Sequence, residues 1–235
     1  MSTAPVAVIA GSGGGGSATA ASLAAAGFVV VVLDRRAEKA QAVVDTLDNA
    51  PAEAHGVDLG DLAAVQSLGD DVIARHGRVD VLVHLVGGWR GSPSLDHSAV
   101  ENWQALHPPI VGTLTVLTAV LGDAIRQSPR GRIFMITSTT AAAPAVGNIA
   151  YAAAKRAAEG WMAGIADYFH DSPAAAVTMA VKALLTDDMV AAEPDKSWSG
   201  YTHVRDLASA IAALCTGDAV NGSRVDLPID EATAT

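Results

Sequence analysis

The stretch VAVIAGSGGGGS, residues 6–17, decides the fold of this chain. Its first five residues are apolar and predict a buried strand, and the glycines after them lead into a run of small residues that predicts a helix. Gly11, Gly13 and Gly16 have the spacing G-x-G-x-x-G between the two elements. Glycine allows a tight turn, and its missing Cβ leaves the amides at the helix start open to a phosphate. This arrangement predicts a strand–helix unit that binds the pyrophosphate of a dinucleotide.

Asp34 ends the second predicted strand, 18 residues after Gly16, near the spacing at which a carboxylate accepts hydrogen bonds from an adenosine ribose. Such a carboxylate repels a 2′-phosphate, so NAD(H) is the favoured cofactor. Arg35 could accept that phosphate, which makes NADP(H) the alternative. Further predicted cofactor contacts are Gly14 and Ser17 in the loop, Asp58 and Leu59 after the third strand, and Gly87 after the fourth. For Asp58, a turn or helix-capping role together with Asp61 is the alternative.

Short apolar segments alternate with helical segments along the rest of the chain. The predicted strands cover 6–10, 28–33, 54–57, 79–86, 132–137, 176–181 and 223–227. The predicted helices cover 17–26, 35–47, 62–76, a segment within 99–127, 150–169 and 204–215. Strands that are apolar throughout indicate a parallel sheet covered on both faces. We therefore predict one α/β domain over 1–235, a doubly wound parallel sheet of the Rossmann type, with a substrate loop at about 185–203.

Composition and charge argue against several other classes of protein. The 235 residues carry a net charge of −10, which weighs against a nucleic-acid surface. Uncharged windows at 1–33, 102–122 and 133–154 are long enough to span a membrane, but they contain glycine clusters, paired prolines or polar residues, so we expect no membrane insertion. The histidines lack the spacing of metal ligands, and we expect no metal site. The single Cys215 suits the cytoplasm, where we expect the protein.

A second group of candidate residues begins where the fifth predicted strand ends. Ser138 closes that strand, and Tyr151 and Lys155 are four positions apart, so they share one face of a helix. Together with the glycine loop and Asp34, this order and spacing resemble the short-chain dehydrogenase/reductase family from Val6 to about Leu227. The resemblance implies an NAD(P)(H)-dependent oxidoreductase that transfers hydride between nicotinamide and a carbonyl or alcohol substrate.

The resemblance also implies a role for each of these side chains. Tyr151 is the expected acid/base, and Lys155 is expected to lower the pKa of that phenol from about 10 and to bind the nicotinamide ribose. Both residues therefore also contact the cofactor. Ser138 is expected to hold and polarise the substrate oxygen. Thr186, after the sixth strand, occupies the position that caps the nicotinamide amide.

The sequence departs from the family pattern in four places, one of which is a glycine-rich loop that is one residue shorter than usual. Pro109 occupies the position of the family's catalytic Asn, and with Pro108 it predicts that the helix starts or kinks there. His107 could replace the Asn as a proton relay, with capping or packing as the alternative. Lys182 replaces a proline after the sixth strand, and His84 replaces an Asn after the fourth.

Two alternatives to carbonyl chemistry stay open. The short loop ending at Gly16, residues 86–89 and residues 197–198 are similar to dihydropteridine reductases, which favours reduction of a conjugated ring. Those enzymes generally lack the serine that Ser138 provides here. The second alternative is a dinucleotide-binding protein without redox turnover, and it rests on Pro109 and Lys182.

Aromatic side chains in the predicted loops indicate the class of substrate. The candidates for the substrate wall are Trp89, Met189, Trp198 and Tyr201. Aromatic faces favour a cyclic or aromatic small molecule, and packing of these side chains on the sheet edge is the alternative. Members of the family usually pair through the helices that carry Pro109 and Tyr151, so we expect a homodimer or homotetramer. We expect neither nucleic acid nor a membrane as a partner.

Overall fold

Seven parallel strands form the central sheet of the computed structural model, which describes residues 4–227. In chain order the sheet strands are β1 (Val6–Ala10), β2 (Val29–Asp34), β3 (Ala52–Gly56), β4 (Val81–His84), β5 (Arg132–Ser138), β6 (Ala175–Val181) and β9 (Arg224–Asp226). Their spatial order is β3-β2-β1-β4-β5-β6-β9, so the chain winds from β1 toward both edges. Two further short strands, β7 (Ala183–Leu185) and β8 (Tyr201–His203), pair with each other.

Helices cover both faces of this sheet. They are α1 (Gly14–Ala25), α2 (Ala37–Val44), α3 (Leu62–His76), α4 (His97–His107), α5 (Thr113–Gln127), α6 (Ile149–Tyr168), α7 (Asp187–Ala192) and α8 (Val204–Thr216). One face of the sheet packs against α3, α5 and α6, and the other packs against α1, α2 and α8. Because the central strands are buried on both faces, their sequences are apolar without alternation. The predicted doubly wound α/β fold is confirmed.

Several predicted elements have other bounds in the structure; the strand predicted at 79–86, for example, covers only Val81–His84. Two further differences lie close to the candidate site. Helix α1 begins at Gly14 rather than Ser17, because the glycines already adopt helical geometry and the Ser17 N–H donates to the Gly13 carbonyl at 2.9 Å. The segment 185–203 is only partly irregular, since it contains α7 and β8. The Thr186 Oγ1 atom caps α7 by accepting from the Met189 N–H at 3.3 Å. Elements this short have too few residues to show a hydrophobic period.

The apolar helical segment within 99–127 changes helix type at its two prolines. A single π-helical turn, Pro108–Gly112, joins α4 to α5. Neither proline has an N–H, so the hydrogen bonds of an α-helix cannot form there and the backbone widens. The Thr113 hydroxyl donates to the Pro109 carbonyl at 2.8 Å and satisfies one freed acceptor. The predicted start or kink is therefore a π turn within a helical run from His97 to Gln127.

That run is long and apolar enough to meet the usual length and composition of a membrane span, with a mean hydropathy of 1.5. Many of its apolar side chains face the interior of the fold, whereas Val100 and Trp103 are exposed. Leu106, Ile110, Leu114 and Leu117 are all buried in the core layer that covers the sheet. Packing on the sheet accounts for the buried part of this apolar run.

The turn between β1 and α1 contains a contact that only glycine permits. A Cβ on Gly16 would lie 1.9 Å from the Gly11 carbonyl oxygen, so α1 packs directly on the backbone at the end of β1. Gly11 itself has a φ of +106°, and a Cβ there would lie 3.1 Å from the Leu85 carbonyl. Two of the three motif glycines are therefore required by backbone sterics as well as by any ligand.

We expect Gly16→Ala to destabilise the fold by about 3 kcal/mol, because the added methyl group collides with fixed backbone. Gly13→Ala is the matched control, since nothing lies within 4 Å of a Cβ at that position. The measurement is the urea midpoint of each variant. Equal midpoints for Gly16→Ala and Gly13→Ala would contradict the steric role of Gly16.

Candidate active site

Two cavities lie side by side along the carboxyl ends of the strands. The Asp34 cavity has a volume of about 570 Å³ and is lined by residues that follow β1, β2 and β3. The Tyr151 cavity has a volume of about 720 Å³ and is lined by residues from the ends of β4, β5 and β6 and from α6. Val86 and Gly87 line both cavities, so the two form one continuous cleft.

The amino terminus of α1 is open to an anion. Gly13 is the capping residue and supplies no side-chain hydrogen bond, and the first turn of α1 has no acidic residue. The backbone N–H groups and the helix dipole therefore present partial positive charge. Gly14 packs against Thr186, whose Cγ2 atom lies 2.6 Å from the place that a Cβ on Gly14 would take. Predicted cofactor residues from the glycine loop and from the segment after β6 thus lie together.

Asp34 lies at the end of β2 and is held by its neighbours. Its Oδ2 atom accepts hydrogen bonds from the Ser12 hydroxyl and from the Ser12 N–H, and its Oδ1 atom accepts from the Arg36 N–H at 3.0 Å. Burial acts to raise the pKa of Asp34, but these hydrogen bonds outweigh it and hold the pKa below its usual value. The Asp34 cavity therefore contains a fixed carboxylate.

The other residues predicted to contact the adenosine half of a cofactor line the same cavity: Arg35, Asp58, Leu59 and Gly87. Asp58 closes a turn, because its Oδ1 atom accepts from the Gly60 N–H at 2.9 Å. Asp61, in contrast, caps α3. Asp58 therefore both shapes the local backbone and lines the cavity, and its contact with a nucleotide stays a prediction.

Ser138, Tyr151 and Lys155 meet in the Tyr151 cavity. Strand β5 ends at Ser138, and α6 presents Tyr151 and Lys155 on one face. The buried Ser138 Oγ atom accepts from the Thr140 N–H at 3.2 Å and lies 2.8 Å from the Thr140 hydroxyl. A hydrogen bond also links the Ser138 side chain to Tyr151. The spacing in the sequence thus corresponds to a real cluster of side chains.

Lys155 is buried and bound to the sheet. Its Nζ atom donates to the Ile136 carbonyl at 2.7 Å and lies 5.8 Å from the centroid of the Tyr151 ring. Burial lowers the pKa of Lys155 to about 8, and the Glu159 carboxylate opposes this effect. The lysine is therefore partly neutral in mildly alkaline solution.

The expected fall in the pKa of Tyr151 is wrong for the protein alone. Burial raises the pKa of Tyr151, and the hydrogen bond with Ser138 opposes this only in part. The Lys155 ammonium is bonded to a backbone carbonyl, and the desolvation of the phenolate dominates. Tyr151 is thus a protonated phenol at neutral pH, which is the form that can donate a proton.

His84 is a buried cleft residue that the sequence revealed only as a departure from the family pattern. Its Nε2 atom lies 2.7 Å from the Thr113 hydroxyl, which itself donates to the Pro109 carbonyl. Because that hydroxyl has one proton, Nε2 of His84 must be the donor in the first bond. Burial, assisted by the Lys155 charge, lowers the pKa of His84 to about 3, so the ring is neutral. The end of β4 is thereby tied to the π turn.

The candidate relay His107 and the departure Lys182 lie in different surroundings. The ring of His107 packs against that of Trp103, with centroids 5.0 Å apart, and His107 is not among the residues described as lining the Tyr151 cavity. The packing alternative therefore describes His107, and the relay role is not supported. Lys182, in contrast, lines the Tyr151 cavity.

The aromatic candidates divide between the cavity wall and internal packing. Trp89 lines the Tyr151 cavity and is 69% exposed. Trp198 is buried and packs edge-on against Tyr201, with ring centroids 5.2 Å apart. In the part of the chain that the structure describes, Met189, Trp198 and Tyr201 are not among the lining residues. The proposed substrate wall therefore reduces to Trp89, and the two other rings pack the segment before α8.

The cleft fits a dinucleotide. The close approach of Gly16 to Gly11 leaves no Cβ at the turn, and the adjacent helix start offers unpaired N–H groups. Asp34 lies where an adenosine ribose is expected, and Lys155 lies in the neighbouring cavity. A bound nicotinamide dinucleotide would supply or accept the hydride there.

Comparison with known proteins shows the family. A profile described as short chain dehydrogenase matches residues 5–196. The chain therefore belongs to the short-chain dehydrogenase family. A D-threitol dehydrogenase from Mycolicibacterium smegmatis is 30% identical over 126 residues, which are 52% of this chain and 48% of that protein. The chain thus spans about half the length of this curated relative.

Solved structures share the fold over nearly the whole chain. A metagenomic short-chain oxidoreductase in complex with NADP is 29% identical, with a TM-score of 0.79 and coverage of 95% of this chain and 96% of that one. A gluconate 5-dehydrogenase from Burkholderia cenocepacia, in complex with NADP and tartrate, is 24% identical, with a TM-score of 0.80 and coverage of 98% and 96%. Each of these two relatives was solved with NADP bound.

We expect cofactor binding to take up a proton at about pH 8.5 and almost none at about pH 6.5. Lys155 has a pKa of about 8 in the protein alone, and hydrogen bonds from its ammonium to the ribose hydroxyls of the cofactor favour the charged form. Calorimetry in two buffers of different ionisation enthalpy measures the uptake. Lys155→Met should abolish it, whereas Lys196→Met, on the exposed segment before β8, should retain it. Equal uptake at both pH values would contradict this assignment.

Proposed function

We propose that this protein is an NAD(P)(H)-dependent oxidoreductase that moves a hydride between nicotinamide and a carbonyl or alcohol substrate, with Tyr151 as the acid/base. The observation that carries the proposal is the cluster of Ser138, Tyr151 and Lys155 in a cavity that opens into the Asp34 cavity. A dinucleotide bound along this cleft would therefore end beside these three side chains.

The chain's own residues can complete the reaction at the substrate oxygen. In the reducing direction a hydride adds to the carbonyl carbon, and the Tyr151 hydroxyl gives its proton to the carbonyl oxygen. Ser138 can donate to the same oxygen when the Thr140 hydroxyl, 2.8 Å away, is the donor in the bond that joins these two hydroxyls. The Lys155 ammonium stabilises the phenolate that forms. In the oxidising direction each transfer reverses.

Tyr151→Phe should lower kcat by about a thousandfold, because it removes the proton donor and leaves the cavity filled. The dissociation constant for NADH, followed by fluorescence, should change little. Tyr168→Phe is the matched control, since Tyr168 lies on the same helix with its hydroxyl on the exposed Asp123. Turnover by Tyr151→Phe at the rate of the control would exclude the proposed acid/base.

We also propose that NAD(H) is preferred over NADP(H). The fixed Asp34 carboxylate supports this preference, because it repels a 2′-phosphate and can accept hydrogen bonds from ribose hydroxyls. Arg35 and Arg36 line the same cavity and oppose the preference. Two relatives were solved with NADP bound, so the preference is tested by measuring activity with both cofactors.

Asp34→Asn should shift the ratio of kcat/KM for NADPH over NADH by about tenfold or more toward NADPH, since it removes the charge and keeps the shape. Asp58→Asn, in the same cavity, is the control and should shift the ratio much less. Steady-state kinetics with both cofactors measure it. A wild-type protein that already prefers NADPH would show that the two arginines outweigh Asp34.

Further features support the remaining parts of the proposal. The Trp89 ring in the wall of the Tyr151 cavity supports a small cyclic or aromatic substrate.

Trp103 and Trp161 are partly exposed on α4 and α6, which supports assembly into a homodimer or homotetramer through these helices. The buried Cys215, whose thiol pKa burial raises to about 12, is compatible with the cytoplasm.

A further inference from the structure

Lys182 brings a second positive charge to the Tyr151 cavity. In the sheet register Val181 pairs with Ser138, and neighbouring strands lie about 4.8 Å apart. Lys182, the next residue, is therefore within the reach of a lysine side chain from the site where the substrate oxygen would bind. Lys182 is an exposed residue that lines the same cavity as Ser138 and Tyr151.

The Lys182 side chain has a defined path. Its Nζ and Cδ atoms lie 2.8 Å and 2.9 Å from the place that a Cβ on Gly200 would take, so the lysine chain runs over the bare backbone of that glycine. Gly200 has a φ of +82°, which other residues adopt only with strain. Because Gly200 has no Cβ, the turn before β8 leaves room for the Lys182 side chain.

The Lys182 ammonium has no partner within the described part of the chain. Lys155 donates to the Ile136 carbonyl and Lys196 to Glu193, whereas no hydrogen bond or ion pair among residues 4–227 engages Lys182. A cation that lines a concave site without a protein partner is available to a ligand.

The charge of the cavity is opposite to that of the molecule. The chain carries a net charge of −10, but the described residues that line the Tyr151 cavity include Lys155 and Lys182 and no aspartate or glutamate. An acidic protein repels anionic molecules from most of its surface, and positive charge within a cleft focuses them at that place.

We infer that Lys182 is a specificity-determining residue that selects small substrates bearing an anionic oxygen group, a carboxylate or a phosphate, in addition to the carbonyl or alcohol that reacts. The inference rests on the proposed function and deepens it. Hydride transfer is unchanged by it: the anionic group stays intact, and the Lys182 ammonium donates hydrogen bonds to its oxygens.

Matched substrate pairs test this inference. For a carboxylate the pair is 4-formylbenzoate and its methyl ester, and for a phosphate it is glyceraldehyde 3-phosphate and glyceraldehyde. Wild-type protein should prefer the anionic member of at least one pair, which also identifies the group. Lys182→Met keeps the chain length and removes the charge, and it should lower kcat/KM for that anion by about tenfold or more, mainly through KM.

The controls separate substrate recognition from other effects. Lys182→Arg should retain most of the preference for the anion. Lys196→Met removes an exposed lysine that pairs with Glu193 outside the cavity, and it should retain all of the preference. The inference would be overturned if Lys182→Met lowered kcat/KM equally for the charged and neutral members of a pair. It would also be overturned if Lys182→Met raised the KM for NADH with both members. In either case Lys182 would act on the fold or on the cofactor.

A binding measurement distinguishes failure of this inference from failure of the proposed function. Calorimetry compares benzoate with benzamide on the protein alone and on the protein with NAD⁺. If no aldehyde is turned over, tighter binding of benzoate that Lys182→Met removes would still support an anion-selective cavity. Phenyl phosphate and phenol form the second pair for the phosphate. The inference would be overturned if neither benzoate nor phenyl phosphate bound more tightly than its neutral partner.

Discussion

The candidate active site depends on the register of the parallel sheet. Pairing sets Ala10 beside His84 and Ser138 beside Val181, and all of these strands run in one direction. Their carboxyl ends therefore share one edge, and the loops that leave this edge form the cleft. A shift of one strand by one residue would turn its side chains to the opposite face. The apolar residues that pin the strands in the core thus also place the polar ones at the site.

Burial controls the few charges that this edge contains. It lowers the pKa of Lys155 to about 8 and raises that of Tyr151, so each group is pushed toward its neutral form. His84 is neutral for the same reason and serves as a hydrogen-bond donor between β4 and the π turn. The protein alone therefore keeps its proton on Tyr151 at neutral pH, where Lys155 is mostly charged and can stabilise the phenolate.

Local sequence features predicted the fold and the family well. The glycine spacing reflects the sterics of one turn, and the separation of Tyr151 from Lys155 reflects the geometry of one helix. Both features are local, so the sequence alone predicts them. The bond from Lys155 to Ile136, the pairing of Trp198 with Tyr201 and the path of Lys182 over Gly200 join residues that are distant in the chain or lie in short elements. Sequence pattern alone does not contain such contacts. Burial also reversed the expected pKa of Tyr151, which spacing could not reveal.

Transfer of deuterium from NADH to the product tests the proposed chemistry most directly. NADH that carries deuterium at both C4 positions is incubated with the protein and an aromatic aldehyde, and the alcohol is examined by mass spectrometry and NMR. We expect one deuterium on the carbon that bears the new hydroxyl, because that carbon receives the hydride while Tyr151 supplies the exchangeable proton on oxygen. An alcohol without deuterium on that carbon, or oxidation of NADH without a labelled product, would contradict hydride transfer at this site.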